Sequence, residues 1–388
     1  MKKLLLFVMI PLSMVAGSIS PGYGQSSLKV GALIPFISKW GDSGRECAKG
    51  LLDGAKSINQ RGGIFGRKLE ILLVEDNSEP IENVAAYRKL NEADHILLLY
   101  IYSAETALGL LPHVNFNRIP TLVSSLPSEL VNPVTSPSLF TVAPTPLDLA
   151  KIAIQFISEQ SGMKTRRPKM VFIGSSSPVS PHFLDEARKL ARRSGLEVGP
   201  DTWISEPSPS GRPLSSLPLS ITSFNPDFAY LILTPKESLA LIADSRKKGL
   251  RTTWIGNPKA FDETLSPFEG VFGVQPVAAY GEDLPGMVGI REAHQKWHPF
   301  DSHTLSYVEG WATVQVIAEA LGKSLPEQKL SRERIKGSLE SFKDFVLGGL
   351  LPPLTITATD HRPSVESRIL IIKEARLMRY TGFLSSGR

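Results

Sequence analysis

The sequence contains very little cysteine and no apolar run long enough to cross a membrane. Cys47 is the single cysteine among 388 residues, so no disulfide can form within the chain. The N-terminal apolar stretch, residues 4–16, is shorter than the roughly 20 residues that a spanning helix requires. Arg, Lys, Pro or Gly interrupts every later apolar run. The fold must therefore be stabilised by its hydrophobic core.

The motifs of nucleotide-dependent enzymes and serine hydrolases are missing as well. No Gly-x-Gly-x-x-Gly follows a predicted strand, and no phosphate loop ends in Gly-Lys-Ser or Gly-Lys-Thr. Residues 174–177 read Gly-Ser-Ser-Ser, which is not a nucleophile elbow. The net charge of +5 is small and dispersed, which argues against nucleic acid binding. We expect no catalytic residue, no cofactor and no nucleic acid partner.

Three histidines, His294, His298 and His303, have the spacing of metal ligands. The first two lie one helical turn apart, as in some zinc sites. No Glu stands beside either of them in the metalloprotease arrangement, and Pro299 ends the predicted helix directly after His298. We interpret these residues as a solvated helix end and expect no metal site. A periplasmic metal-dependent hydrolase that uses the three histidines is the alternative from another functional class.

The first 24 residues have the layout of a secretory signal peptide. Lys2 and Lys3 precede the apolar residues 4–16, and small residues follow them. We expect export to remove residues 1–24 and to place the protein in the periplasm, with an uncleaved membrane anchor as the alternative. Cys47 lies far beyond the cleavage site, which argues against a lipid-modified N-terminal cysteine.

The start of the mature sequence reads as a strand, a helix and a second strand. The apolar run 28–36 predicts a buried parallel strand. Ser43 stands three residues before Glu46, which predicts a capping box at the start of a helix that Gly62 ends. Residues 68–75, rich in Leu, Ile and Val, predict the next strand. Such a unit forms a right-handed crossover between parallel strands.

Helical and strand patterns alternate along the chain in two series. The prolines Pro144 and Pro146 end the first series, and the second runs over residues 149–256. Alternation of this kind is typical of parallel, doubly wound sheets. Residues 368–380 predict a closing hairpin. Periodicity therefore predicts an α/β protein with two α/β units.

Short motifs in the opening unit resemble those of a known family. They are Gly62-Gly63-Ile64, Gly66-Arg67 and Glu75-Asp76-Asn77, followed by Pro80. Together they resemble the opening of the type I periplasmic solute-binding proteins of the branched-chain amino acid receptor family. The resemblance continues over nearly all of the mature chain at Pro112, Ile119-Pro120, Pro226-Asp227, Glu309-Gly310-Trp311 and Asp360-His361.

This resemblance implies a specific fold. It has two doubly wound, Rossmann-like α/β lobes joined by three hinge crossings, the periplasmic binding protein type I fold. The N-terminal lobe is expected to comprise residues 25–143 plus 277–347. The C-terminal lobe is expected to comprise residues 144–276 plus 348–388.

Candidate binding residues follow from the architecture. Ligands of open α/β sheets bind beyond the carboxyl ends of the strands, and helix N-termini there favour anions. The candidates are polar and aromatic residues in the loops after predicted strands. They are Trp40, Tyr102, Ser103, Ser124 and Ser125 in the first lobe, and Ser177, Thr234 and Asn257 in the second. Alternatively, Ser103 and Ser124 only cap helices, and Trp40 is a wall of the core.

The resemblance matches part of this set. The first loop of the family has an aromatic residue before Gly-Asp, which falls on Trp40. Its third-strand loop has a hydroxyl that holds the ligand carboxylate, which falls on Ser103. Its fourth-strand loop fits Ser124 and Ser125.

The second lobe departs from the family. The amino acid receptors have a tyrosine in each of two loops, where this chain has Ser180 and Thr234. Where they have a carboxylate for the ligand ammonium, this chain has Asn257 followed by a proline. A buried ammonium without a carboxylate is costly, so a standard α-amino acid would require Glu105 or Asp262 in that role.

We therefore expect a periplasmic solute-binding protein that carries out no chemistry. It would deliver a small, carboxylate-bearing ligand, an amino acid or another organic acid, to the permease of an ABC importer in the inner membrane. We expect a monomer. A ligand-sensing module of a signalling system is the alternative among binding proteins, because the same fold serves both roles.

Overall fold

The first lobe is built on five parallel strands. The structure is a computed structural model that describes residues 27–77, 79–161, 166–175, 181–200, 202–204, 217–325 and 330–387. The five strands are β1 (Leu28–Ile34), β2 (Leu69–Glu75), β3 (Leu98–Ile101), β4 (Thr121–Val123) and β5 (Leu139–Thr141). Their order in the sheet is β2-β1-β3-β4-β5. The predicted opening unit is confirmed, because β1 pairs in parallel with β2 and is buried along nearly its whole length.

Three helices connect these strands. They are α1 (Gly41–Gln60), α2 (Pro80–Arg88) and α3 (Ala104–Phe116). The predicted capping box of Ser43 and Glu46 is wrong, since α1 begins at Gly41 and its N-cap residue, Trp40, makes no side-chain cap. The backbone already turns two residues earlier, because the Gly41 N–H donates to the Ser38 carbonyl at 2.7 Å. Ser43 therefore lies inside the first turn.

The second lobe repeats the pattern around a larger sheet. Its parallel strands are β6 (Lys169–Ser175), β7 (Glu197–Val198), β8 (Thr202–Ile204), β9 (Phe228–Ile232), β10 (Thr253–Gly256) and β11 (Phe272–Gln275). Its helices are α4 (Pro146–Ser161), α5 (Pro181–Arg193), α6 (Leu219–Phe224) and α7 (Pro235–Lys247). The predicted second α/β series is thus confirmed. Pro146 is the first residue of α4, a position that suits proline because the first N–H of a helix has no partner.

The chain then returns to the first lobe and finally closes the second sheet. Helices α8 (Met287–Trp297), α9 (Leu305–Ser324) and α10 (Arg332–Leu339) follow β11. The closing strands are β12 (Glu366–Lys373), β13 (Arg376–Arg379) and β14 (Leu384–Ser385). The predicted closing hairpin is confirmed, because β12 is antiparallel to both β11 and β13. Two α/β lobes with parallel sheets result.

The packing of the residues after residue 348 favours a third crossing between the lobes that lies later in the chain than expected. Leu350, Leu351, Leu354 and Ile356 are buried in the same hydrophobic cluster as β1, α1 and α9. These residues belong to the first lobe by their packing, although they follow the glycine- and proline-rich stretch that suggested the boundary. We propose that the third crossing lies after Ile356 rather than at residue 348.

Helices α1 and α9 touch along their backbones. A Cβ atom on Gly50 would overlap the carbonyl oxygen of Tyr307, and a Cβ atom on Gly310 would overlap that of Cys47. Only glycine permits this distance at both positions. The close approach fixes the residues that flank Gly310, including Glu309, relative to the first sheet. None of the helices in the described ranges is both long and apolar enough to cross a membrane.

Candidate functional site

Two adjoining cavities lie where the strand ends of the two lobes face each other. The outer cavity has a volume of about 150 Å³ and is lined from the first lobe by Trp40 and Ser103 and from the second by Phe183 and Asn257. Side chains from both lobes thus form one wall each. A site of this kind can exclude water when the lobes close around a bound molecule.

The inner cavity is smaller and more enclosed, with a volume of about 60 Å³. It lies beside the first two crossings, since Val142 and Val277 line it, and Gln275 and Glu309 add polar groups. Both cavities share the residues Tyr102, Ser125, Pro146, Asn257 and Lys259. We refer to the two cavities together as the cleft.

Most of the predicted site residues meet in the cleft. Trp40, Tyr102, Ser103, Ser125 and Asn257 line the outer cavity, and Ser124 lines the inner one. Ser177 lies outside the described residues. Thr234 lines a different cavity, near the mouth of the cleft. Whether these residues touch a ligand stays a prediction.

The alternative interpretations describe real contacts too. Ser103 caps α3, because its hydroxyl accepts from the Thr106 N–H at 3.3 Å and donates to Glu105 at 3.0 Å. Trp40 is half-buried and packs on the core of the first lobe while it also forms a wall of the cavity. Ser124 does not cap the 3-10 turn that follows it, because that turn begins at Ser128 and its N-cap is Pro127. The Ser124 hydroxyl donates to Glu309. These three side chains therefore make contacts within the fold and also line the cleft.

The side chain of Thr234 forms a capping box at the start of α7. Its hydroxyl accepts from the Glu237 N–H at 3.2 Å, while the Thr234 N–H donates to the Glu237 carboxylate at 2.6 Å. Pro235 occupies the first position of α7, as is common in helices that begin this way. The side chain of Thr234 is buried and serves the helix start.

Lys259, which the sequence interpretation overlooked, occupies the centre of the cleft. Its ammonium nitrogen lies 3.0 Å from the Ser124 hydroxyl and 3.3 Å from the Glu309 carboxylate. The same nitrogen lies 3.6 Å from the centre of the Tyr102 ring, a cation–π distance. Lys259 belongs to the second lobe and its three partners to the first. The contacts therefore join the lobes across the cleft.

The charges of this group are well defined. Burial lowers the pKa of Lys259, but the adjacent Glu309 carboxylate and the Tyr102 phenol raise it above its ordinary value overall. Lys259 is therefore a cation at neutral pH. Burial raises the pKa of Tyr102 to about 12, so the phenol stays neutral. Among the described residues, the Tyr102 hydroxyl finds no acceptor for its proton.

The sequence contains part of the information that identifies Lys259 and Glu309 as cleft residues. Lys259 stands two residues after Asn257, in the loop after β10 that the strand-end rule selects. Glu309 is part of the Glu309-Gly310-Trp311 motif, which the close packing of Gly310 now explains. Their contact depends on how two lobes face each other, which one sequence does not encode locally.

The three clustered histidines lie away from the cleft, between α1, α8 and α9. His298 Nε2 is 2.9 Å from Asp53, and His303 stacks on Tyr307 with 3.8 Å between ring centres. The interpretation as a solvated helix end is wrong for His303, whose side chain is buried. In the described part of the chain, no three His, Cys, Asp or Glu side chains are arranged to hold a metal ion.

Two α/β lobes with a cleft between facing strand ends define a class of receptors that enclose a small molecule. A family model described as "Periplasmic binding protein" matches residues 27–376, and the chain belongs to this family. It is 21% identical over 335 residues to "Leu/Ile/Val-binding protein homolog 7" of Brucella suis biovar 1, covering 81% of this chain and 82% of that protein. The predicted resemblance to the branched-chain amino acid receptor family is confirmed.

Solved structures of similar proteins share the fold. A fatty acid ABC transporter substrate-binding protein from Thermomonospora curvata superposes with a TM-score of 0.82 at 20% identity, covering 93% of this chain and 92% of that one. A branched chain amino acid ABC transporter protein from Thermus thermophilus, solved with bound valine, gives a TM-score of 0.79 at 18% identity, covering 93% and 97%. The predicted fold, periplasmic binding protein type I, is thereby confirmed.

Proposed function

We propose that the protein binds a small carboxylate-bearing molecule in the cleft and delivers it to the permease of an ABC importer. The observation that carries this proposal is that two side chains with hydrogen-bond donors, Lys259 and Tyr102, line both cavities. An ionised carboxylate accepts hydrogen bonds and donates none, so it is complementary to these groups.

The rest of the outer cavity also suits an anion. Ser103, the N-cap of α3, lies at the cavity wall, and the first N–H groups of a helix carry partial positive charge. Lys39 lines the same cavity and adds a second cation. Glu105 is the one carboxylate among the described lining residues of the outer cavity, and its charge is offset in part by the Ser103 hydroxyl. Positive groups therefore prevail there.

Apolar side chains in both cavities could pack against the hydrocarbon part of a ligand. Phe183, Ile232 and Leu233 line the outer cavity, and Val142 and Leu351 line the inner one. Valine and fatty acids, which the names of two similar proteins mention, have a carboxylate and a hydrocarbon part in common. That shared chemistry supports a carboxylate ligand for this chain without choosing between them.

The family and the N-terminal sequence support a transport role and a periplasmic location. Members of the family are periplasmic receptors that bind substrates, and similar proteins serve ABC transporters. We infer that residues 1–24 direct export and are removed, and that the mature protein works in the periplasm as a monomer. We also infer that it releases its ligand chemically unchanged to the permease.

A thermal-melt screen of the mature protein tests the proposal. The library contains small carboxylic acids, amino acids, and the matching alcohols and amides. A ligand at about a hundred times its dissociation constant adds roughly 2.7 kcal/mol to the free energy of unfolding, which such melts detect. We expect carboxylates among the hits and not their alcohols. A screen without hits, or with uncharged hits alone, would contradict the proposal.

A matched pair of variants locates the site. Tyr102→Phe removes a hydroxyl, unpartnered among the described residues, from a side chain that lines the cleft, so the affinity for the best hit should fall roughly tenfold or more. Tyr87→Phe is the control, because the Tyr87 hydroxyl donates to the His113 carbonyl outside the cleft. Calorimetry measures both. Equal affinities of parent and Tyr102→Phe would place the ligand elsewhere.

A further inference from the structure

The Lys259 ammonium is already surrounded by the groups that a ligand ammonium would need. It has a carboxylate, Glu309, at 3.3 Å, a hydroxyl, Ser124, at 3.0 Å and an aromatic face, Tyr102, at 3.6 Å. A carboxylate and an aromatic ring are the usual partners of a cation held between protein surfaces. Here the cation is a side chain of the protein itself.

Among the described residues that line the cleft, no comparable acceptor is left at this position for a second ammonium. The Glu309 carboxylate accepts from both Lys259 and Ser124. A second cation placed there would also lie next to Lys259, and like charges at such distances repel strongly in a partly buried site. An amino acid bound with its carboxylate near Lys259 would bring its own ammonium into this neighbourhood, because only one carbon separates the two groups.

We propose that Lys259 takes the place of a ligand ammonium, so that the cleft selects apolar carboxylic acids without an α-amino group and rejects the corresponding amino acids. This inference rests on the proposed function and narrows its ligand class. Lys259 acts here as the residue that determines specificity, both by attracting the carboxylate and by repelling an ammonium.

Glu105 and Asp262, the other carboxylates among the described residues that line the cleft, are weaker partners for an ammonium. Glu105 accepts from the Ser103 hydroxyl at 3.0 Å. Asp262 lines the inner cavity and accepts from the Thr264 N–H at 2.8 Å. Burial also raises the pKa of Asp262, which disfavours its charged form. If the cleft preferred amino acids over acids, Asp262 would be the carboxylate that binds their ammonium. The test therefore includes a variant of Asp262.

The test compares acids with amino acids of the same carbon skeleton. The pairs are 3-phenylpropanoate with phenylalanine, 4-methylpentanoate with leucine, and 3-methylbutanoate with valine, together with the best carboxylate hit and its 2-amino derivative. Calorimetry at constant pH and salt gives the ratio of the two affinities. We expect the acid of each binding pair to bind more tightly, by at least about tenfold, because its partner brings an unmatched ammonium.

Variants test whether Lys259 determines the ratio of the acid affinity to the amino acid affinity. Glu309→Gln removes the competing negative charge, so acids should bind more tightly and the ratio should rise. Lys259→Met should weaken acids at least about tenfold and bring the ratio to one or below, because Glu309 is then free for an ammonium. The double variant Lys259→Met/Glu309→Gln, which leaves no unpaired buried charge, should bind both members weakly. Lys189→Met, a change at an exposed lysine of α5, is the control for net charge.

The outcomes separate this inference from the proposed function. If amino acids bind more tightly than their acids and Asp262→Asn abolishes that preference, the proposed function stands and the inference falls. If Lys259 and Glu309 only hold the lobes together, their variants change both members of each pair equally, which also overturns it. If no carboxylate of either kind binds, the proposed function fails and the inference with it.

Discussion

Both carboxylate oxygens of Glu263 lie 3.2 Å from the backbone nitrogen of Leu305. Glu263 belongs to a 3-10 turn of the second lobe, and Leu305 is the first residue of α9. The hydrogen bond therefore joins the lobes beside the inner cavity. Burial, with the charges of Asp262 and Glu46 nearby, raises the pKa of Glu263 to about 8. This contact between the lobes changes its charge in the neutral to mildly alkaline range.

Glu263→Gln should remove a loss of stability that occurs as the pH rises from about 4.5 to about 8. The folded protein keeps the Glu263 proton up to about pH 8, whereas the unfolded chain releases it near the ordinary value of 4.5. The stability from this group is therefore fully present below 4.5 and is lost as the pH rises to 8, by at most about 1.4 kcal/mol per pH unit. Urea titrations at pH 5, 6.5 and 8 should show the variant gaining on the parent. Glu186→Gln, at an exposed position of α5, should follow the parent throughout; a constant difference for Glu263→Gln would refute the expectation.

Gly310→Ala should destabilise the protein although alanine favours helices. Its Cβ would overlap the Cys47 carbonyl oxygen, and α1 and α9 would have to move apart. We expect a loss of roughly 2 kcal/mol or more in the free energy of unfolding. The control is Gly322→Ala in the same helix, where the nearest atom to the added Cβ is a methyl group of Ile64 at 3.9 Å. That change should be neutral or stabilising by up to about 1 kcal/mol. Similar effects of the two changes would show that the helices do not depend on this contact.

His294→Gln should reduce the sensitivity of the fold to mild acid. Burial and the neighbouring His303 lower the pKa of His294 below its ordinary value of 6.5. The unfolded chain therefore takes up a proton that the folded protein resists. The stability from neutral His294 is present above 6.5 and is lost as the pH falls below it. Urea titrations between pH 7.5 and 5.5 should show a smaller loss for the variant; parallel curves would mean that another group causes the acid effect.

The exposed ion pair at the mouth of the cleft should matter little. Lys236 and Asp42 lie on opposite lobes, 2.5 Å apart, but their side chains are 76% and 59% exposed. Exposed pairs contribute about 0 to 1 kcal/mol and are screened by salt. Lys236→Ala should therefore change the affinity for the best hit less than about fivefold, and the change should vanish near 0.5 M NaCl. An effect as large as that of Lys259→Met would mean that the pair controls closure.

The general fold was predictable because it follows from repeated local patterns. The apolar run of β1 and the prolines at the start of α4 mark elements whose type depends on neighbours in the sequence. The same patterns located Tyr102, Ser103 and Asn257 at strand ends, since parallel strands all finish at one edge of a sheet. Positions in the chain therefore predicted positions in the cleft.

Side-chain direction was harder to predict than position. Thr234 stands at a strand end, but its hydroxyl completes a capping box that the letters Thr-Pro-Lys-Glu already announce. Ser43 and Glu46 show a similar spacing and form no such box, because the backbone starts to turn at Ser38. Lys259 was missed because its partners come from three separate segments of the other lobe.

Cys47 lies on α1 where this helix contacts Gly310 of α9. Its side chain is fully buried, and its sulfur is 3.5 Å from the Tyr100 hydroxyl. Burial raises the pKa of this thiol to about 12, so thiolate, the form that attacks alkylating reagents and disulfides, is scarce. The Cys47 thiol of the folded protein should therefore react slowly with maleimides and with disulfides. If one cysteine is introduced on each lobe, a spin label or fluorophore will attach only to these two residues. The distance between the two probes would then report lobe closure, with no need to replace Cys47.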